Sequence, residues 1–161
     1  MTINVGDSIP FVRLATMGAE GKEDLSTDDL FKGKKVVIFG LPGAFTPTCS
    51  EKHLPGYIEL YEAFEAVGVD AIACIAVNDA HVMLAWAEQL GANGLIDLFA
   101  DSRYMFSDAL GLTTDMGPVL GIRAARSALI VNDGIITHFF KEKPKAFEVS
   151  DAKSLLSVVS H

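Results

Sequence analysis

The sequence predicts an α/β fold with a mixed central sheet flanked by helices, and three observations carry that prediction. Val36–Leu41 and Val69–Val77 are short continuous apolar runs, the pattern of strands covered on both faces. Helical spacing follows each run: Leu54, Ile58, Tyr61 and Phe64 after the first, Val82, Met83, Trp86 and Leu90 after the second. Later, Asn132-Asp133-Gly134 separates the apolar runs Ala128–Val131 and Ile135–Phe140, and Asp-Gly in that setting is a strong hairpin signal. Alternation of strand and helix gives a parallel section, to which the hairpin adds an antiparallel edge.

Taken in order, Phe11–Ala15 and the turn Gly18-Ala19-Glu20-Gly21 suggest a small N-terminal hairpin. Ser26-Thr27-Asp28-Asp29-Leu30-Phe31 reads as a capped helical turn ended by Gly33. After the first buried strand, residues Thr46 to about Val67 read as a helix that Pro55 interrupts and kinks. Gly68 and Asn78-Asp79 bound the second strand, and Asp79 caps a helix over Ala80–Leu90. Leu95–Ala100 is a third strand and Tyr104–Leu110 a short helix ended by Gly111. Beyond the hairpin, Ser150-Asp151 caps a last helix with Leu155, Leu156 and Val159 facing inward. No repeat, low-complexity tract or linker divides the chain, so residues 1–161 are expected to form one domain. The order of elements is that of a thioredoxin-like fold, with the Thr46–Cys49 loop at the carboxyl end of a strand, where open α/β sheets build their sites.

The bulk numbers exclude several functions. With 161 residues, half of them hydrophobic and 21% charged, the composition is globular. A net charge of -8 argues against nucleic acid or an anionic membrane surface as a partner. No apolar run is long enough to span a bilayer, and the N-terminus lacks the basic and apolar segments of a signal peptide. Two cysteines are too few for a disulfide scaffold, so a reducing, cytoplasmic location is expected. A mature organellar form that has shed its transit peptide stays open beside it.

One loop concentrates the chemistry. In Gly40-Leu41-Pro42-Gly43-Ala44-Phe45-Thr46-Pro47-Thr48-Cys49, Thr46 is a natural N-cap, Pro47 falls at N1 and Cys49 at N3. A sulfur in the first turn meets unpaired N–H groups and the positive end of the helix, which favour a thiolate. The same residues also fit a simple helix start with a buried filler cysteine. Glu51 reads as a first-turn carboxylate complementing the helix dipole. His53 reads as a helix residue near the rim of the loop; Cys49-x-x-x-His53 is two ligands without a third, so no metal is expected.

Pro42-x-x-x-Thr46-x-x-Cys49 resembles the active-site loop of the peroxiredoxins. The flanking residues, through His53-Leu54-Pro55-Gly56-Tyr57, are similar to their type II, peroxiredoxin-five-like branch. A second match, Arg126-Ser127-Ala128-Leu129-Ile130-Val131 before Asp133-Gly134, extends the resemblance to nearly the whole chain. It implies thiol-dependent reduction of hydrogen peroxide and alkyl hydroperoxides at Cys49 through a sulfenic acid, with no cofactor. Arg126, preferred to Arg123 because it opens the strand, would favour the thiolate and donate to peroxide oxygens. Thr46 would hold the sulfur and the peroxide, Pro42 would stiffen the loop, and backbone N–H groups such as those of Gly43 and Thr48 would bind the leaving oxygen.

Cys74, mid-strand in an apolar run, reads as an inert small hydrophobe, whereas the resemblance to plant-type members permits it as a resolving cysteine. The cysteine that animal members carry near the C-terminus has no counterpart in residues 145–150. Glutathione with glutaredoxin, or thioredoxin, is then the implied reductant, and a homodimer the implied assembly. The competing reading is a non-catalytic redox-sensing or thiol-disulfide exchange module on the same fold; an exchanger would want Cys-x-x-Cys, where this chain has Thr46-Pro47-Thr48-Cys49.

Overall fold

A computed structural model describes residues 3–18 and 20–160, leaving Met1, Thr2, Ala19 and His161 outside the description. Its centre is three parallel strands, β3 (Lys35–Gly40), β4 (Ala71–Ala76) and β5 (Asp97–Ala100). Alternation places Val37, Phe39, Ile72 and Cys74 on one face, Val36, Ile38, Ala73 and Ile75 on the other. Both faces are covered, so the strands read as unbroken apolar runs.

The two hairpins close the sheet from opposite sides. β8 (Ser127–Asn132) pairs antiparallel with β3, and β9 (Ile135–Lys141) follows it outward through the Asp133-Gly134 turn. At the far side β1 (Arg13–Gly18) bridges β5 through Ala15 and Ala100 and carries β2 (Gly21–Ser26). The strand order is β2-β1-β5-β4-β3-β8-β9. The N-terminal hairpin is therefore part of the main sheet, and its first strand starts at Arg13 rather than Phe11; Ala19 of its turn lies outside the described residues.

On the face of Phe39 and Cys74 pack α2 (Leu54–Glu59), α3 (Tyr61–Ala66), α4 (Ala80–Leu90) and α7 (Ala152–Val159), through Tyr57, Phe64, Trp86 and Leu155. The other face is covered by α1 (Thr27–Phe31) and α5 (Met105–Ala109) through Phe31 and Phe106. Three of the expected caps are present: Ser26 forms a capping box with Asp29, and Asp79 and Asp151 accept from Val82 and Ser154. A small antiparallel pair, β6 (Thr113–Asp115) and β7 (Ile122–Ala124), joined through α6 (Gly117–Leu120), was not expected; its strands are three residues each and carry no periodicity to read.

The helix after the loop is irregular where Pro55 requires it. The backbone turns helical at Pro47, widens into a π turn over Cys49–His53, and resumes as α2, with the Leu54 N–H donating to the Cys49 carbonyl. A proline has no N–H and its ring crowds the carbonyl four residues back. The wide turn moves that carbonyl away, so the strain is spread over five residues before the ring. A second break, at Leu60, separates α2 from α3.

Candidate active site

Cys49 lies at the C-terminal end of β3, in the first helical turn, and is wholly buried. The Ser50 N–H donates to the Thr46 carbonyl (2.9 Å), so Thr46 holds the N-cap position in the backbone. Its hydroxyl does not cap. It donates to the Gly43 carbonyl (2.7 Å), which ties the loop into a turn and leaves the oxygen's lone pairs as acceptors. Within the loop the Ala44 N–H is taken by the Asn78 side chain (2.9 Å), and Phe45 is held at φ 65°.

The two arginines take separate places. Arg126 Nη2 donates to Cys49 Sγ at 3.1 Å. Arg123 donates to the carbonyls of Leu120 (2.8 Å) and Pro42 (3.2 Å), bracing the loop from outside. A Cβ added to Gly43 would stand 2.6 Å from Arg123 Nη1, so a side chain there would displace the guanidinium from the loop.

Arg126 is itself held from behind. Its Nη1 lies 2.9 Å from His53 Nδ1, and His53 Nε2 lies 3.0 Å from the Ser150 carbonyl. A guanidinium can only donate and a carbonyl only accept, so His53 is the neutral tautomer with its proton on Nε2. Burial, with the Arg126 charge beside it, pushes its pKa down to about 3. His53 is thus wholly buried beneath the sulfur, packed on Phe39 and Phe147, and not at the rim. Phe147 also lies under the Arg126 guanidinium, 5.8 Å from its centre.

The Ser150 carbonyl accepts a second bond from the Tyr57 hydroxyl (2.7 Å). The Ser150 N–H and hydroxyl donate in turn to the buried carboxylate of Glu142 (2.8 and 2.7 Å), which also receives the N–H groups of Glu148 and Val149. Burial works against the charge of Glu142, but these hydrogen bonds outweigh it and hold its carboxyl below the usual range. Five residues thus form a line from sulfur to carboxylate: Cys49, Arg126, His53, Ser150 and Glu142.

The chain matches the Redoxin family model over residues 4–156. It is 43% identical to Peroxiredoxin-2E-2, chloroplastic, of Oryza sativa subsp. japonica over 98% of this chain and 73% of that protein. It is 44% identical to Peroxiredoxin sll1621 of Synechocystis over 84% and 75% of the two chains. The crystal structure of reduced Prx3 from Vibrio vulnificus in complex with hydrogen peroxide superposes with a TM-score of 0.96 at 45% identity, covering 98% of this chain and 99% of that one. The chain belongs to the peroxiredoxin family.

As a peroxiredoxin it is a thiol peroxidase built on the thioredoxin fold. Its second cysteine, Cys74, sits in the middle of β4, wholly buried, with Phe39 and Leu98 opposite it on the flanking strands. Burial, together with the proximity of Cys49, pushes the Cys74 thiol well up, against the opposing pull of Arg126. Neither cysteine is in a disulfide. Sequence reasoning singled out Cys49, Thr46, Pro42 and Arg126 but passed over Glu142, Ser150 and Tyr57 and misplaced His53. For His53 the signal was the Cys-x-x-x-His spacing, one turn of helix. Glu142 carries no local signal, because its partners lie six to eight residues later and all but the Ser150 hydroxyl are backbone N–H groups.

Proposed function

We propose that Cys49 is the peroxidatic cysteine and that Arg126, Thr46 and the loop backbone bind the peroxide. The observation that carries this is the 3.1 Å contact of Arg126 Nη2 with the sulfur, fixed from behind by a neutral histidine. A donor held on the sulfur favours the anion, and the anion is the nucleophile. The thiolate attacks the distal peroxide oxygen; an S–O bond forms as the O–O bond breaks. Sulfur loses two electrons and keeps the attacked O–H as its sulfenic acid, and the leaving oxygen takes the electrons with the proton that the thiol released, as water or alcohol. Charge gathers on that oxygen, and we assign Arg126 with the N–H groups of Gly43 and Thr48 to meet it. Thr46, its proton committed to Gly43, accepts from the peroxide O–H.

The sulfenic acid then needs a thiol. A thiol R–SH condenses with it, releasing water and leaving a mixed disulfide, and a second thiol frees Cys49 by exchange. We assign these thiols to an external reductant, glutathione with glutaredoxin or thioredoxin, in a reducing compartment. The position of Cys74, pinned in a central strand with its thiol protonated, supports that reading. We also infer a homodimer. Exposed Phe45, Met105, Met116 and Val119 are large apolar groups on segments near the loop, and the last is 89% exposed.

Stopped-flow fluorescence tests the central assignment. The Trp86 indole donates to the hydroxyl of Ser50, the residue after Cys49, so it reports on that turn. Hydrogen peroxide should give a fast fluorescence change that Cys49→Ser abolishes. Oxidation no faster than that of a free thiol would instead mark a sensing or exchange module.

A further inference from the structure

A cavity of about 670 Å³ lies over the site, floored by Pro42, Thr48 and Arg126. That is far more room than hydrogen peroxide fills and falls in the size range of sites for organic ligands. Its walls are β6 on one side and the segment from Lys141 to Phe147 on the other. Lys52, Arg126, Lys141, Lys143 and Lys145 all line it, five of the 13 Lys and Arg in a chain of net charge -8. The four lysines are exposed, and among the described residues none has a carboxylate within salt-bridge distance. The two acidic residues of the lining are engaged: Asp115 accepts the Gly117 N–H, and Glu142 is buried under the hydrogen bonds from residues 148–150. An acidic protein has thus gathered positive charge around a cavity lined by Arg126, the residue that contacts its reactive sulfur.

We propose that this mouth binds the carboxylate of the reacting molecule, so that the enzyme prefers substrates whose group beyond the reacting atom is anionic. The proposal rests on Cys49 being the reacting sulfur. Two reactants meet that sulfur with their remainder in the cavity. One is an organic hydroperoxide, R–O–OH, which gives up its distal oxygen to sulfur and leaves as R–OH. The other is the thiol R–SH, which displaces water from the sulfenic acid. A carboxylate on either R would sit among the lysines, and opposite charge in a concave site also raises the encounter rate.

The two half-reactions separate the sources. In the oxidative arm, reduced protein is mixed with a hydroperoxy acid or its methyl ester, with hydrogen peroxide as reference. In the reductive arm, protein oxidised by one equivalent of hydrogen peroxide is mixed with 3-mercaptopropionate, 2-mercaptoethanol or cysteamine at equal thiolate concentration. The expected result is a preference of about threefold or more for the anionic member in at least one arm, since exposed charge pairs shift rates by up to about fivefold. The preference should vanish when Lys52, Lys141, Lys143 and Lys145 are all changed to Gln, and shrink in the wild-type protein at about 0.5 M salt. A preference in the first arm identifies the hydroperoxide as the anion, in the second the thiol. Equal rates across each series, or a preference that survives both neutralisation and salt, overturns the proposal. Slow reaction of the wild-type protein with hydrogen peroxide would instead remove the assignment of Cys49, a separate and visible outcome.

Discussion

Thr46 shows how a single hydroxyl is specified by what its proton is already doing. The side chain gives its hydrogen to Gly43, so toward a ligand it is an acceptor, and the O–H it can accept from is that of a hydroperoxide. Thr46→Val removes that acceptor while keeping shape. The lost hydrogen bond to Gly43 should cost stability only about 1 kcal/mol. The rate of Cys49 oxidation should fall by far more, on the order of a hundredfold, as when one fixed transition-state hydrogen-bonding group is lost. Denaturant unfolding and stopped-flow oxidation of the same variant give both quantities, and equal losses would reduce Thr46 to a structural tie. The side chain's partner was hidden in the sequence. The residue type and its place three before Cys49 mark a cap, but whether the hydroxyl turns forward to an N–H or back to a carbonyl depends on the Gly43–Phe45 turn, where Phe45 takes a left-handed backbone conformation.

The segment between β9 and α7 is where element-scale structure reaches the sulfur. Glu142 follows β9 and gathers the N–H groups of Glu148, Val149 and Ser150, folding the intervening residues back so that the Ser150 carbonyl faces His53 and Phe147 lies under Arg126. Glu142→Ala would free all of these donors at once. Peroxide reactivity of Cys49 should drop about tenfold to a hundredfold, because a displacement near 1 Å of a positioned group costs that much. Far-ultraviolet circular dichroism should stay that of the wild type, and Glu142→Gln, which keeps an acceptor oxygen, should recover part of the rate. An Ala variant that reacts at the wild-type rate would show that the loop and the Arg126 line are independent. None of this architecture has a short-range signature. The elements that were legible had one: period in the buried strands, Asp133-Gly134 in the hairpin, Ser26, Asp79 and Asp151 as caps. β6, α6 and β7 are too short to show a period, and the π turn is a compromise between Pro55 and the packing of Leu54 and Tyr57, visible only when both are in place.

At the scale of the whole molecule, burying a neutral histidine under an arginine ties folding to pH. His53 has its ordinary pKa of 6.5 when unfolded and about 3 in the fold, because burial and the adjacent Arg126 charge both oppose its protonation. Below pH 6.5 the unfolded chain takes up a proton that the folded one refuses until about pH 3. The unfolded state therefore binds more protons in that window, and stability falls with pH across it. At pH 5 the loss from this residue should be about 2 kcal/mol, taking 1.36 kcal/mol per unit. Glu142 works in a lower range: its carboxyl is held below the ordinary value of 4.5, so its contribution is present above 4.5 and lost as pH falls further. The step from pH 7 to pH 5 therefore leaves Glu142 out, and comparison with a variant that lacks the imidazole separates His53 from the carboxyl of Asp97, whose pKa desolvation raises. Urea unfolding at the two pH values should show the loss of about 2 kcal/mol in the wild-type protein and little of it in His53→Gln, whose amide can still donate and accept without titrating. A drop of the same size in both proteins would place the titration elsewhere and leave His53 free to protonate in the fold. The guanidinium would then be pushed off the imidazole in mild acid, and the support behind the sulfur would fail there.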